Sequence, residues 1–413
     1  MNNQAASDKP SMLSMDQALS YLLAQSRPLG TIEQVETRSA LGRVLAQPQV
    51  STVNVPPLDN SAMDGYAVAS ADLDASGVTR LQVSQRIAAG TVGTSLLRNT
   101  AARIFTGAPI PQGADMVIMQ EECTSEGDAA VINRPAHAGL NIRRMGEDIA
   151  AGAEILAAGT RIRPQEMGLA ASVGIATLPV YSRLRVAMFF TGDEIVMPGE
   201  PLQPGQIYNS NRFSLTGLLQ ALGCEVTDFG IVPDDLETTV QVLERAAQYA
   251  DLVITSGGVS VGEEDHVKAA VERLGKLEMW RIAMKPGKPL AFGTAGQSFF
   301  IGLPGNPVSA LVTFCLFVRP FILRCQGVPN VVPKSCNVRA DFSWPKPDKR
   351  REFLRAQLSM ADDGTTSVVI FPNQGSGVLT STVWADGLVD IPGGATVERG
   401  DTVKFIPFSE MLY

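Results

Sequence analysis

Between Arg183 and Cys325, short and wholly apolar runs alternate with amphipathic ones, and this alternation restricts the fold more than any other feature of the chain. "LRVAMFF", "CEVTDFGIV" and "DLVITS" read as strands. "SNRFSLTGLLQALG" puts Leu215, Leu218, Leu219 and Leu222 on one helical face and ends at Gly223, suited to the position just past a helix. "DDLETTVQVLERAAQYA" does the same with Leu236, Val240 and Leu243. Strands buried on both faces and separated by helices pair in parallel through right-handed crossovers. The expectation is a central three-layer α/β domain with a parallel-rich sheet.

The flanks have different textures. "SMDQALSYLLAQ" opens with Ser14 and Gln17 three residues on, a capping box, with Met15, Ala18, Leu19, Leu22 and Leu23 on one face. From about Leu41 to Ile155 short apolar runs alternate with Gly- and Pro-rich turns, the pattern of a β-rich lobe. After Pro333 short strand-like runs recur, predicting a small β-barrel-like domain. The fold class is thus multidomain α/β and β. We divide it into an N-terminal helix and linker segment (1–50), a β-rich lobe (51–152), a linker segment (153–183), an α/β domain (184–331) and a C-terminal barrel-like domain (332–413). A chain of 413 residues is long enough for two to four domains.

Composition narrows the function classes. A net charge of −8 disfavours broad nucleic-acid binding, which needs Lys and Arg to neutralise phosphates. Five cysteines (Cys123, Cys224, Cys315, Cys325, Cys336) form no C-x-x-C pair, which predicts a reducing cytoplasm rather than a disulfide framework or a zinc site. Two histidines argue against a Ser-His-Asp triad. "MNNQAASDKP" has no apolar signal region, and "VSALVTFCLFVRPFILRC" is interrupted by Arg319 and Pro320, so it reads as a buried helix and no membrane is expected.

In an open α/β sheet, ligands bind beyond the carboxyl ends of the strands. Two strands here end in loops that the fold places on one edge. "LRVAMFF" runs into Thr191-Gly192-Asp193-Glu194, and "DLVITS" into "GGVSVGEED", with Gly257, Gly258, Ser260, Gly262 and Asp265. Glycines let backbone amides approach a phosphate closely. The ordinary alternative is two tight turns, with Asp265 capping the next helix. "MKPGKPLAFG" carries Lys285 and Lys288 on a proline-stiffened loop, able to hold phosphates or an oxyanion as point charges. "IGLPGNPVSA", with Pro304, Gly305, Asn306 and Pro307, is a further strand–loop–helix candidate whose plain reading is a helix start. No G-x-x-x-x-G-K-[ST] or G-x-G-x-x-G pattern is present, which disfavours ordinary P-loop and Rossmann enzymes.

These motifs, with "DNSAMDGYAV", "RIFTGAPIPQGADMVIMQE", "NIRRMGEDI" and "GQIYNSNR", resemble in order those of the molybdopterin molybdenumtransferase family, the MoeA-type enzymes that include the E domain of gephyrin. The resemblance spans about Ser14 to Ser376. It implies insertion of molybdate into molybdopterin supplied as its adenylylated form, with release of AMP and help from Mg²⁺. It also implies a homodimer with the site between subunits. A molybdopterin adenylyltransferase and molybdoenzyme acceptors are the partners it suggests. The alternatives are a molybdopterin adenylyltransferase, which shares the α/β domain, and a non-catalytic cofactor carrier or scaffold.

By that resemblance, Glu194 and Asp265 are the acids placed to hold the cation. Asp64, Thr106, Asp148 and Asp234 are further catalytic candidates; Asp234 also fits a helix capping box with Glu237. Gly192, Asp193, Lys285, Lys288 and the Pro304–Pro307 loop would bind substrate, with Arg355 and Ser376 lining the cleft from the C-terminal domain. Arg281 stands where the family pattern leads us to expect lysine, and a guanidinium fork is not an ammonium point charge.

Overall fold

The computed structural model describes residues 12–74, 77–133, 137–258, 266–360 and 364–412. Ser260, Gly262 and Asp265 therefore lie outside the described residues. The chain divides into two units. One comprises residues 34–41 and 47–178, the other 12–33, 42–46 and 179–412.

Helix α1 (Met15–Gln25) begins with the expected capping box: Ser14 Oγ accepts from the Gln17 amide, and Gln17 Oε1 accepts from the Ser14 amide. Its apolar face does not stand in a linker. Met15, Ala18 and Leu22 are buried in the main core of the larger unit, because an isolated helix of this length is marginal until its face is covered. The segment 1–50 is thus split between the two units.

The smaller unit holds a six-stranded sheet. Its strands are β1 (Gly65–Val68), β2 (Thr79–Ile87), β3 (Thr100–Ile104), β4 (Met116–Met119), β5 (Cys123–Glu126) and β6 (Ala129–Ile132), in the order β4-β1-β3-β2-β6-β5. Alternation along the strands gives each face its own apolar cluster, one around Val68, Ile118 and Ile132, the other around Ile87, Ile104 and Val117. Helix α2 (Pro164–Ser172) follows.

In the larger unit the predicted order appears strand by strand: β7 (Arg185–Thr191), α3 (Ser210–Ala221), β8 (Glu225–Val232), α4 (Leu236–Tyr249), β9 (Leu252–Ser256) and α5 (His266–Leu274). Then come β10 (Gly275–Arg281), β11 (Pro289–Ala295), β12 (Ser298–Leu303) and the long helix α6 (Pro307–Cys325). The sheet runs β8-β7-β9-β12-β11-β10, with the first four parallel and the last two antiparallel. Alternate residues of β7 serve different layers. Val186, Met188 and Phe190 pack with α1, α3 and α6, whereas Ala187 and Phe189 pack with α4 and α5. Each such side chain, fully buried, contributes roughly 1.5–3 kcal/mol of transfer free energy if it is as large as Val or Phe.

Helix α6 is long and apolar enough to cross a membrane, yet 89% of it is buried within the protein, so it serves as a core helix. Pro320 cannot donate to a preceding carbonyl, and a wider π-turn at Phe314–Val318 sits just before it.

The C-terminal region closes on itself. Strands β13 (Cys336–Ala340), β14 (Arg351–Met360), β15 (Thr366–Ile370), β16 (Gly387–Ile391) and β17 (Thr402–Pro407) pair in the cycle β14-β15-β13-β17-β16-β14. Closure removes free sheet edges and encloses Val338, Leu354, Val368, Val389 and Phe405. A two-residue ladder, Met284–Lys285 against Arg351–Glu352, joins this barrel to the segment between β10 and β11.

Candidate active site

Parallel register brings three strand ends together. Phe190 of β7 lies opposite Ser256 of β9, and Ser256 lies opposite Leu303 of β12. The loops that follow, at Gly192–Glu194, Gly257–Gly258 and Pro304–Asn306, therefore share one edge. Two side chains pin them. Ser256 Oγ donates to the Pro304 carbonyl at 2.9 Å, and Asn211 Nδ2 donates to Ser256 Oγ at 2.8 Å and to the Gly305 carbonyl at 2.7 Å. Gly257 has φ +99°, and a Cβ there would stand 2.6 Å from the Thr191 carbonyl oxygen, so only glycine lets the chain turn so close to β7.

Opposite this edge stands the basic loop. Lys285 Nζ lies 2.7 Å from Glu352 Oε1 and 3.8 Å from Asp348 Oδ2. Glu352 is buried, and its second oxygen accepts from Trp344 Nε1 at 2.8 Å. Arg350 grips Asp348 with two bonds, at 3.0 and 2.7 Å, and this guanidinium holds the Asp348 carboxyl well below the usual carboxylate range. Lys288 is exposed, and among the described residues no carboxylate lies within ion-pair distance of it.

The barrel supplies the third wall. Gln374 Nε2 donates to the carbonyls of Arg355 and Phe371, at 3.0 and 2.9 Å, and its Oε1 accepts from the Arg355 amide at 2.9 Å. The Val308 amide at the start of α6 donates to the Ser376 carbonyl at 3.0 Å.

Together these walls enclose a cavity of about 590 Å³ lined by Glu194, Gly257, Gly258, Lys285, Lys288, Pro304, Gly305, Asn306, Ser309, Arg350, Gln374 and Ser376. Lys285, Lys288 and Arg350 face glycine-rich backbone there, which suits an anionic ligand. A larger opening of about 770 Å³ at the end of the barrel is lined by Asp16, Arg351, Asp390 and Lys404, whose charges pair with one another: Asp390 takes two bonds from Arg351 at 2.6 Å and lies 3.9 Å from Lys404.

Three separate comparisons bear on this arrangement. Residues 13–174 match the family profile "MoeA N-terminal region (domain I and II)", residues 187–324 "Probable molybdopterin binding domain", and residues 337–408 "MoeA C-terminal region (domain IV)". A molybdopterin molybdenumtransferase of Haemophilus influenzae is 40% identical over 404 residues, covering 97% of this chain and 100% of that protein. The chain belongs to the MoeA family. A second relative, molybdopterin molybdenumtransferase 2 of Mycobacterium tuberculosis, is 40% identical over 87% of this chain and 90% of that protein. The crystal structure of the molybdopterin biosynthesis MoeA protein of Pyrococcus horikoshii OT3 superimposes with a TM-score of 0.81 at 30% identity, over 96% of this chain and 100% of that one.

Of the residues expected to form the site of this MoeA-family chain, Glu194, Gly257, Gly258, Lys285, Lys288, Pro304, Gly305, Asn306 and Ser376 line the one cavity. Gly192 and Asp193 share the Glu194 loop but do not line it, and Pro307 serves as the first residue of α6. Arg281 ends β10 and pairs with Pro289, which lines the cavity, but is not itself a lining residue.

Two expectations are corrected. Arg355 does not line the cleft: it is wholly buried, with Nε donating to Ser381 Oγ at 3.0 Å, Nη1 to the Phe353 carbonyl at 3.4 Å and Nη2 to the Gly375 carbonyl at 3.1 Å. Asp234 forms no capping box with Glu237. The cap of α4 is Asp235, whose carboxylate accepts from the Thr238 amide at 2.8 Å and is held below the usual range by that bond. Asp234 is exposed beside it.

Asp64, Thr106 and Asp148 belong to the other unit. Asp64 Oδ1 accepts from both the amide and the hydroxyl of Thr106, each at 2.8 Å, and these donors hold its carboxyl below the usual range. The Asp148 side chain is exposed, and its amide donates to the Val55 carbonyl. Sequence reasoning did not select Asn211, Ser309, Asp348, Glu352 or Gln374, and it noted Arg350 only as part of a basic cluster with Arg351 and Arg355. A polar Asn211 on the buried face of an amphipathic helix was the readable signal for the first of these.

Among the described residues no three Asp, Glu, His or Cys side chains converge as metal ligands. Glu194 is nevertheless an exposed carboxylate at the cavity, with no protein cation within ion-pair distance among the described residues. One such carboxylate, completed by phosphate oxygens and water, is an ordinary Mg²⁺ shell.

Proposed function

We propose that this chain works in molybdenum cofactor biosynthesis as a transferase that inserts molybdate into adenylylated molybdopterin and releases AMP. The observation that carries this reading is the cavity itself: Lys285, Lys288 and Arg350 converge on glycine-rich loops at parallel strand ends. Two anions, a phosphorylated pterin and molybdate, must meet there, and fixed cations in a partly enclosed site offset their repulsion. Lys285 is held in place by Glu352, so little side-chain freedom is lost when it meets an oxyanion. Lys288 keeps its charge for the ligand. Glu194, with Asp265 as the second acid, would hold Mg²⁺, which supplies Lewis acidity at the phosphoanhydride.

The proposed assembly is a homodimer in which Asp64, Thr106 and Asp148 of one copy complete the site of the other. The Asp64 carboxylate, kept ionised by its Thr106 donors, suits a metal or cationic contact. A molybdopterin adenylyltransferase would supply the substrate and molybdoenzymes would accept the product. Five unpaired cysteines support a cytoplasmic setting.

The test is incubation of the protein with adenylylated molybdopterin, molybdate and Mg²⁺, following AMP and active cofactor together. Both should appear in step. AMP that never forms, or that forms without active cofactor, removes the insertion reading. Formation of adenylylated molybdopterin from ATP and molybdopterin would establish the adenylyltransferase alternative instead. Against that alternative stand the matches to the N-terminal and C-terminal regions of the family, which lie outside the α/β domain.

A further inference from the structure

Arg355 is a guanidinium with no access to solvent, and its bonds run to neutral oxygens only: Ser381 Oγ and the carbonyls of Phe353 and Gly375. Among the described residues no carboxylate lies within ion-pair distance of it. Burial alone pushes its pKa down, to about 10, so it stays charged at neutral pH. A buried charge without a counter-charge is costly, and proteins rarely keep one where an apolar side chain would pack as well.

The place of this charge is informative. Gly375 and Ser376 line the cleft. In a trans peptide the carbonyl and the following N–H point in opposite directions. The Gly375 carbonyl is turned onto Arg355, so the Ser376 N–H of the same peptide is turned the other way. No acceptor among the described residues takes that hydrogen, whereas the Ser376 carbonyl is occupied by the Val308 amide. The loop is held in this orientation by Gln374, which bonds the Arg355 backbone on both sides.

We propose that Arg355 is a positioning residue: its buried guanidinium turns and polarises the Gly375–Ser376 peptide so that the Ser376 N–H is presented to an oxyanion, and that anion is the counter-charge the residue lacks in the free protein. Arg355 thus acts through the peptide, without touching the ligand. The inference rests on the oxyanion reading of the cleft.

The experiment is direct binding of molybdate to the full-length protein, read beside the thermal midpoint of the ligand-free form. Arg355→Gln keeps amide donors but removes the charge. It should weaken molybdate binding at least tenfold while leaving the ligand-free midpoint unchanged or raised, because an uncompensated buried charge has gone. A lowered midpoint with unchanged molybdate affinity would show a merely structural residue and overturn the proposal. If Arg355→Gln does not fold, Arg355→Lys carries the test. It keeps the charge and should bind within threefold of wild type, and a tenfold loss at unchanged midpoint overturns the role of charge. Inorganic phosphate in place of molybdate separates a molybdate pocket from a phosphoryl pocket. Weaker binding of either anion supports the proposal, and loss of neither overturns it. Lys288→Ala is the control. If it too leaves molybdate affinity unchanged, the oxyanion reading of the cleft has failed; if only Arg355→Gln does, the inference alone has failed.

Discussion

The loops of the two units both carry charged candidates, but their charges are committed differently. In the smaller unit Asp64 is satisfied by Thr106, and Asp59 accepts from the Met145 amide at 2.8 Å and from Arg144 at 2.6 Å. Both of these acids already have their donors. At the cleft of the larger unit and beneath its wall donors are left over: among the described residues Lys288 at the cleft has no acid, Arg355 beneath it has no acid, and the Ser376 N–H has no acceptor. A surface whose acids are satisfied is a formed and self-consistent loop. A cleft with surplus donors is completed by something negative.

The strongest way to break this contrast is to remove the uncommitted cation. Lys288→Ala should lower the rate of AMP release about 10²–10³-fold, the usual cost of losing one fixed electrostatic donor, with no change in the thermal midpoint. Wild-type turnover in that variant would mean that the surplus charge is incidental. Next in size is the committed pair. Glu352→Gln removes the buried partner of Lys285 and should cost about 1–3 kcal/mol in urea unfolding, as loss of a hydrogen bond to a charged group does. An unchanged unfolding curve would show that the basic loop does not depend on it.

A smaller effect separates neighbours. Asp235→Ala should lower the thermal midpoint through loss of the α4 cap, and Asp234→Ala should not. If Asp234→Ala slows AMP release at an unchanged midpoint, its place is at the reaction and not at the helix. The smallest effect is in pH. The Asp64 carboxyl is depressed in the folded protein by Thr106, so its contribution is present above the ordinary carboxylate range, about 3.9, and is lost as pH falls through the folded value. Thr106→Val removes the hydroxyl donor and should move the Asp64 titration, followed by carboxyl NMR, back toward the ordinary value.

Much of the fold was legible because its signals are local. Leu215, Leu218 and Leu219 recur at helical spacing and are buried as that spacing predicts, and Gly223 adopts φ +73° just past α3. The edge of the sheet that carries the site followed from strand order, so Glu194 and Gly257 could be brought together before any coordinates. What stayed hidden depends on distant partners. Nothing near Arg355 in the chain says that its side chain, on the face of β14 opposite the barrel-lining Leu354 and Ala356, is buried against Gly375 and Ser381, since a strand residue faces one side or the other according to register. Arg350 and Arg355 look alike in sequence, yet one lines the cavity and the other lies beneath its wall. The Asp234–Asp235 shift is a one-residue ambiguity that two adjacent acids cannot resolve from composition. The split of residues 1–50 between units likewise follows from which core covers Met15 and Leu22, a matter of packing.

The short ladder between Met284–Lys285 and Arg351–Glu352, reinforced by the Arg351 amide donating to the Ala283 carbonyl at 2.9 Å, has a mechanical consequence. It ties the Lys285 loop, between β10 and β11, to the barrel, so these two walls of the cleft cannot part without breaking backbone pairing. Hydrogen exchange at Lys285 and Arg351 should then be as slow as in the strands on either side, and the barrel should melt together with the α/β sheet. The seam is accordingly stiff, with no hinge required there.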